Sequence, residues 1–199
     1  VIPIVGRWTA ETPGTIPLGQ GVVSYEPPPD AIAAARRFGG KLTDHRYGPV
    51  EGLPELVAAI EAKLARENHI IVRPRSRVLV TAGGNQAFMN AVLAITDPGD
   101  EIVLLVPYYF NHEMAVVMAG AKAVAVPTTS EYQIDLRAIA DAITPRTRAV
   151  VTVSPNNPTG AVYPEADLRA VNALCRERGI FHIHDEAYEY FTYGGVSHF

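Results

Sequence analysis

Five short apolar runs with no polar face recur along the chain, at residues 78–81, 102–106, 123–126, 149–153 and 180–183. Runs of this length and kind predict strands buried on both faces. Between them the apolar positions take helical spacing, predicting helices over 85–95, 110–119, 136–143 and 164–178. Gly120 and Gly179 stand just past two of these helices, Asp135 suits the cap of a third, and Pro164 suits a first turn. Upstream, Leu53, Leu56, Val57, Ile60 and Leu64 predict an amphipathic helix over 53–67, and residues 30–38 a helix stopped by Gly39 and Gly40. Residues 1–27 carry prolines and glycines throughout and read as an extended arm. Strand–helix alternation predicts an α/β fold: a mainly parallel sheet with helices on both faces and a ligand site at the carboxyl ends of the strands.

Composition narrows the class. Of 199 residues 48% are hydrophobic and 19% charged, enough apolar surface for a packed core, which excludes a disordered or fibrous chain. The net charge of -4 gives no pull toward nucleic acid or an anionic membrane, so neither is expected as a partner. The single cysteine, Cys175, precludes an intrachain disulfide framework and points to a reducing compartment, the cytoplasm. No stretch reaches the roughly 18 consecutive apolar residues of a membrane span. The opening Val1-Ile2-Pro3-Ile4 lacks the basic segment of a signal peptide.

The strand ends hold the candidate chemistry. After 78–81 comes Ala82-Gly83-Gly84-Asn85-Gln86, where two glycines and a helix start suit a phosphate or, equally, a tight turn. Neither the dinucleotide fingerprint G-x-G-x-x-G nor the P-loop pattern is present. After 102–106 comes Pro107-Tyr108-Tyr109-Phe110-Asn111-His112, whose aromatics offer a flat face for a ring or plain core packing. After 149–153 comes Ser154-Pro155-Asn156-Asn157-Pro158-Thr159-Gly160, a rigid turn able to aim an amide at a ligand. After 180–183 comes His184-Asp185-Glu186-Ala187-Tyr188. There Asp185 could pair with a protonated ring nitrogen or cap a following helix. His182 and His184 share one strand face, a weak metal pattern with no further Cys/His cluster behind it, and no metal is expected. A triad of Ser154, His112 and Asp185 lacks the G-x-S-x-G elbow of a hydrolase.

Taken together and in order, these segments resemble the class I/II aminotransferases, pyridoxal-phosphate enzymes of fold type I. The resemblance rests on Ser154–Gly160 followed by His184–Tyr188 at the next strand end. It extends to Leu18-Gly19-Gln20-Gly21 with Pro27-Pro28-Pro29, and to Tyr47-Gly48-Pro49 with Gly52-Leu53-Pro54. Val22-Val23 replaces the more usual aromatic–proline pair. The resemblance implies residues 1–45 as an N-terminal arm and small-domain segment, and 46–199 as an incomplete large domain that binds pyridoxal 5'-phosphate. It implies that Asp185 holds the proton on the cofactor ring nitrogen, that His112 orients Asp185, and that Tyr109 stacks on the ring. Asn157 and Tyr188 would hydrogen-bond the ring's phenolic oxygen, and the backbone of Gly83, Gly84 and Asn85 would cradle the phosphate. Tyr47 would serve the partner subunit of a homodimer. Gly21, with Asn157, would lie beside the carboxylate of an amino acid or 2-oxo acid substrate.

The resemblance also implies a lysine that binds the cofactor covalently and an arginine for the substrate carboxylate. None of Lys41, Lys63 or Lys122 stands in the family's S-x-[ST]-K-like context. The chain is therefore expected to be the N-terminal half of such an enzyme, inactive alone. The expected function is a ping-pong aminotransferase. A carbon–sulfur lyase on the same scaffold and a non-catalytic, ligand-binding fragment are the alternatives.

Overall fold

The computed structural model describes residues 2–16, 21 and 23–198. The chain divides into two compact units, Val1–Gly48 and Pro49–Phe199. The first holds helix α1 (Ile2–Glu11), helix α2 (Pro29–Arg37) and a short 3₁₀ turn, Leu42–His45. The extended arm expected over 1–27 is thus corrected at its start, where α1 forms. Pro3 falls in the first turn, where its missing N–H costs nothing, and Pro13 lies beyond the last turn. Only Gly6 weakens the helix interior, by about 1 kcal/mol.

The second unit begins with α3 (Pro54–Glu67) and α4 (Gly84–Ile95). Then come β1 (Glu101–Val106), α5 (Phe110–Met118), β2 (Lys122–Pro127), α6 (Leu136–Ala142), β3 (Thr147–Val153), α7 (Glu165–Arg178) and β4 (Phe181–Asp185). The four strands form one parallel sheet in the order β2-β1-β3-β4. Alternate residues of the inner strands feed two cores. Val103, Leu105 and Val150 pack with Ile139 of α6 and Leu168, Val171 and Cys175 of α7. Ile102, Leu104, Ala149 and Val151 pack with Phe88 and Val92 of α4 and Ala115 and Val116 of α5. Period-two alternation therefore places α6 and α7 on one face and α4 and α5 on the other, the α/β architecture with helices on both faces.

Three strand expectations need correction. Residues 78–81 join no ladder and take no regular secondary structure; the Val80 N–H donates to the Glu51 carbonyl at 2.8 Å. β-branched residues favour extended backbone, but a strand also needs a neighbour in register. Burial on both faces holds for β1 and β3 alone; β2 and β4 are half-exposed because they flank the other two. The last strand also starts one residue late. Gly179 closes α7 in the left-handed conformation, and the Ile180 N–H bonds back to the Cys175 carbonyl, so Ile180 finishes the helix. Asp135 caps α6 as expected, its carboxylate accepting the Arg137 and Ala138 N–H groups. Pro164 sits at the cap of α7 rather than in its first turn.

Candidate active site

The carboxyl ends of β3 and β4, the N-terminus of α4 and the start of α5 surround a cavity of about 260 Å³. Gly83, Gly84 and Asn85 form one wall and Tyr109 and His112 another. Asn157, Asp185 and Tyr188 complete the site, with Ala82, Val153 and Ala187 filling the gaps between them. Eight of the site residues read from the sequence thus share one cavity.

The α4 end presents backbone amides to the cavity. Gly83 adopts φ +82°, a conformation that side chains with a Cβ rarely take, and so turns the chain sharply into the helix. The Gln86 side chain reaches back to accept the Ala82 N–H, fastening the turn. The amides of Gly84 and Asn85, in the first helical turn, have no carbonyl one turn back to bond. They carry the partial positive charge of the helix end.

Asp185 ends β4 on the strand face opposite His182 and His184. Its Oδ1 accepts the Ala187 N–H at 3.0 Å, and its Oδ2 lies 3.1 Å from His112 Nε2. The hydrogen bond from His112 holds the Asp185 carboxyl below the usual carboxylate range, against partial burial and with help from the Ala187 amide. Asp185 therefore stands as a carboxylate at neutral pH. Among the described residues no helix follows β4; residues 187–190 form turns, so Asp185 shapes a turn rather than capping a helix. His112 is buried in the first turn of α5, its ring stacked on Phe88 at 4.0 Å between centroids. Its Nδ1 is buried and has no hydrogen-bond partner among the described residues. Nothing in the sequence pointed to the Phe88 support, since an aromatic on the buried face of α4 reads as core.

Tyr109 stands edge-on to His112, and its hydroxyl accepts from Asn111 Nδ2 at 2.6 Å. In the 154–160 turn the two asparagines divide their work. Asn156 is buried; its Oδ1 accepts the Thr159 N–H and hydroxyl, and its backbone bonds Gly160 and Ala161. Asn157 makes no hydrogen bond among the described residues and lines the cavity, as does the hydroxyl-bearing Tyr188, whose ring meets Phe191 edge-on.

The weaker readings fare differently. Ser154 is fully buried, its hydroxyl accepts the Tyr163 N–H, and it does not line the cavity, so no triad forms. His182 and His184 both meet the Thr152 hydroxyl, at 2.8 and 2.6 Å. Among the described residues no group of three or more His, Cys, Asp or Glu is arranged to hold a metal. No helix among them is long and apolar enough to cross a membrane. Tyr47 and Gly21 lie in the first unit, both exposed, and Tyr47 fully so. Leu18, Gly19, Gln20 and Val22 of the opening loop lie outside the described residues. No lysine lines the cavity: Lys63 pairs with Glu189 and Lys122 with Glu101.

Known proteins share this fold. An aromatic aminotransferase of Arabidopsis thaliana is 38% identical over 194 residues, 95% of this chain and 48% of its own length. The aspartate/prephenate aminotransferase of Thermus thermophilus is 42% identical over 184 residues, 90% of this chain and 47% of its own. A solved single mutant of Thermus thermophilus aspartate aminotransferase superposes with a TM-score of 0.87 at 38% identity, covering 98% of this chain and 52% of that one. The chain spans about half the length of the curated relatives it matches. The family model described as "Aminotransferase class I and II" matches residues 13–199. The sheet order, the cavity and this match lead to one conclusion: the chain belongs to the class I and II aminotransferases, a pyridoxal-phosphate-dependent family.

Proposed function

We propose that the full-length protein is a cytoplasmic, homodimeric aminotransferase that moves an amino group from an amino acid to a 2-oxo acid by a ping-pong route. The observation that carries this reading is the Asp185 carboxylate, kept ionised by His112 in a cavity also lined by the start of α4. That donor set fits pyridoxal phosphate: an anion for a protonated ring nitrogen, free amides for a phosphate, and two unpaired polar side chains between them. When bound, the cofactor supplies an electron sink for the charge that develops at the substrate's α-carbon.

Each residue then has a task of its own. Asp185 holds the proton at the ring nitrogen, and His112 orients Asp185 through Oδ2. Gly83, Gly84 and Asn85 bind the phosphate through backbone N–H groups. Tyr109 covers one ring face, its tilt fixed by Asn111. Asn157 and Tyr188 donate to the phenolic oxygen. Gly21 and Asn157 serve the substrate carboxylate, and the exposed Tyr47 reaches the phosphate in the partner subunit's site. The relatives named for aspartate, prephenate and aromatic substrates make acidic and aromatic amino acids the first donors to assay.

The test uses the full-length protein. It should bind the cofactor with visible absorbance and exchange amino groups only when a 2-oxo acid acceptor is supplied. Absence of bound-cofactor absorbance at every pH refutes the reading. Turnover that needs no acceptor assigns the protein to elimination chemistry instead.

A further inference from the structure

Tyr188 lies in a stretch that has neither helix nor strand, yet the proposed function requires its hydroxyl to keep a fixed place. Among the described residues its side chain makes no hydrogen bond, and its ring meets Phe191 edge-on. The anchors come from its neighbours. On one side the Asp185 carboxylate takes the Ala187 N–H. On the other, Glu189 is clasped by the end of α3. Lys63 Nζ donates to both Glu189 oxygens, at 2.5 and 2.6 Å, and Asn68 Nδ2 donates to Oε2 at 2.9 Å. Lys63 also donates to Asn68 Oδ1 at 2.7 Å, closing a triangle of three side chains. One residue further, the Tyr190 hydroxyl donates to Glu67, and Lys63 lies over the Tyr190 ring.

We propose that Lys63, Asn68 and Glu189 form a positioning latch that fixes Tyr188 in the cofactor cavity from the α3 side. The proposal rests on the assignment of Tyr188 to the cofactor. The physical case is one of geometry over energy. A partly exposed ion pair adds little net stability, because desolvation and lost side-chain freedom offset the attraction. Three donor hydrogens on one carboxylate nevertheless leave it a single orientation, and this carboxylate belongs to the residue next to Tyr188. Burial acts to raise the Glu189 carboxyl, but Lys63 and Asn68 outweigh it, so the pair stays charged. The charged and titratable groups around Glu189 are Lys63 and Glu67 of α3, with Arg66 beside Glu67, and Tyr190 and His198 of its own segment.

The test compares E189Q, K63R, Y188F and the double variant E189Q/Y188F in the full-length protein. Three quantities are read: thermal midpoint, affinity of the apoprotein for pyridoxal phosphate, and the pH midpoint of the bound cofactor's absorbance. E189Q keeps the shape and loses the charge. It should weaken affinity about three- to tenfold and move the pH midpoint in the direction Y188F moves it, by less. K63R, which keeps the charge but not the three-way geometry of the ammonium, should fall between wild type and E189Q in both cofactor readouts. Adding E189Q to Y188F should change neither quantity further, since the latch acts through the tyrosine. An E189Q protein with a lowered thermal midpoint but unchanged affinity and pH midpoint overturns the latch and leaves the functional reading intact. So does a full E189Q effect in the Y188F background. If Y188F itself matches wild type in both cofactor readouts, the assignment of Tyr188 fails and the latch with it.

Discussion

Replacing Asp185 by asparagine changes one atom, and the hydrogen-bond arithmetic around it sets the expected outcome. The carboxylate accepts on both oxygens, from Ala187 N–H at 3.0 Å and from His112 Nε2 at 3.1 Å. Asparagine has one acceptor. If its oxygen keeps the Ala187 N–H, its amide faces His112, which must then present a lone pair at Nε2 and carry its proton on Nδ1. That atom is buried and has no partner among the described residues. Leaving a buried N–H unsatisfied costs about 1–3 kcal/mol. With its side chain only 27% exposed, Asp185 is too sheltered for solvent to absorb the change. A domain of ordinary stability, about 5–15 kcal/mol, survives this loss. Turnover should not. Without an anion at the ring nitrogen, several kcal/mol of charge stabilisation disappear, about a 10²–10³-fold fall in rate or more. Cofactor affinity should change far less, because the phosphate contacts at Gly83–Asn85 remain. Urea unfolding, cofactor titration and steady-state exchange in the full-length D185N protein measure the three quantities. D185A should behave alike in turnover. Near-wild-type turnover in either variant would falsify the role and reduce Asp185 to a turn-forming residue.

Three further outcomes are expected. Burial, with His182 and His198 nearby, pushes His184 down to about 4 from its ordinary 6.5. Its folded pKa lies below its unfolded one, so the stability it contributes is present above about pH 6.5 and is lost as pH falls toward 4. The loss amounts to at most about 3 kcal/mol at roughly 1.4 kcal/mol per unit. Urea unfolding at pH 7 and pH 4.5 should show the decline, and H184Q should flatten it; an unchanged slope in H184Q refutes the assignment. N156A should lower stability by about 1–3 kcal/mol through its buried turn bonds, whereas N157A should leave the unfolding midpoint in place and weaken cofactor binding. Equal effects on both properties would contradict the division of labour. Residues 1–199 expressed alone should show no transamination above the free-cofactor rate, since no lysine lines the cavity. Saturable, stereospecific exchange would reassign the base to Lys41, Lys63 or Lys122.

The sequence by itself determined most elements and named eight candidate residues that the fold gathers around one cavity. Apolar runs and helical spacing are local signals, and they marked β1 to β4 and α2 to α7 within a few residues. Glycines at 83 and 84, the paired asparagines and Asp185 stood out because turns and strand ends demand particular backbone or side-chain chemistry within a few positions. Failures came where the outcome depended on a distant neighbour. Residues 78–81 have the composition of a strand, yet only pairing makes one, and no strand lies beside them among the described residues. Pro3 and Gly6 looked like breaks, but a proline in a first turn leaves a helix whole. The strand order β2-β1-β3-β4 decided which strands lie inside and which are half-exposed. Only the tertiary structure decided that Phe88 backs His112, that Asn156 builds the turn while Asn157 faces the cavity, and that Lys63 meets Glu189. Periodicity fixes which face of an element is apolar. It carries no information about which residue from another element will stand opposite, because that depends on crossover connections and on how helices settle onto the twisted sheet.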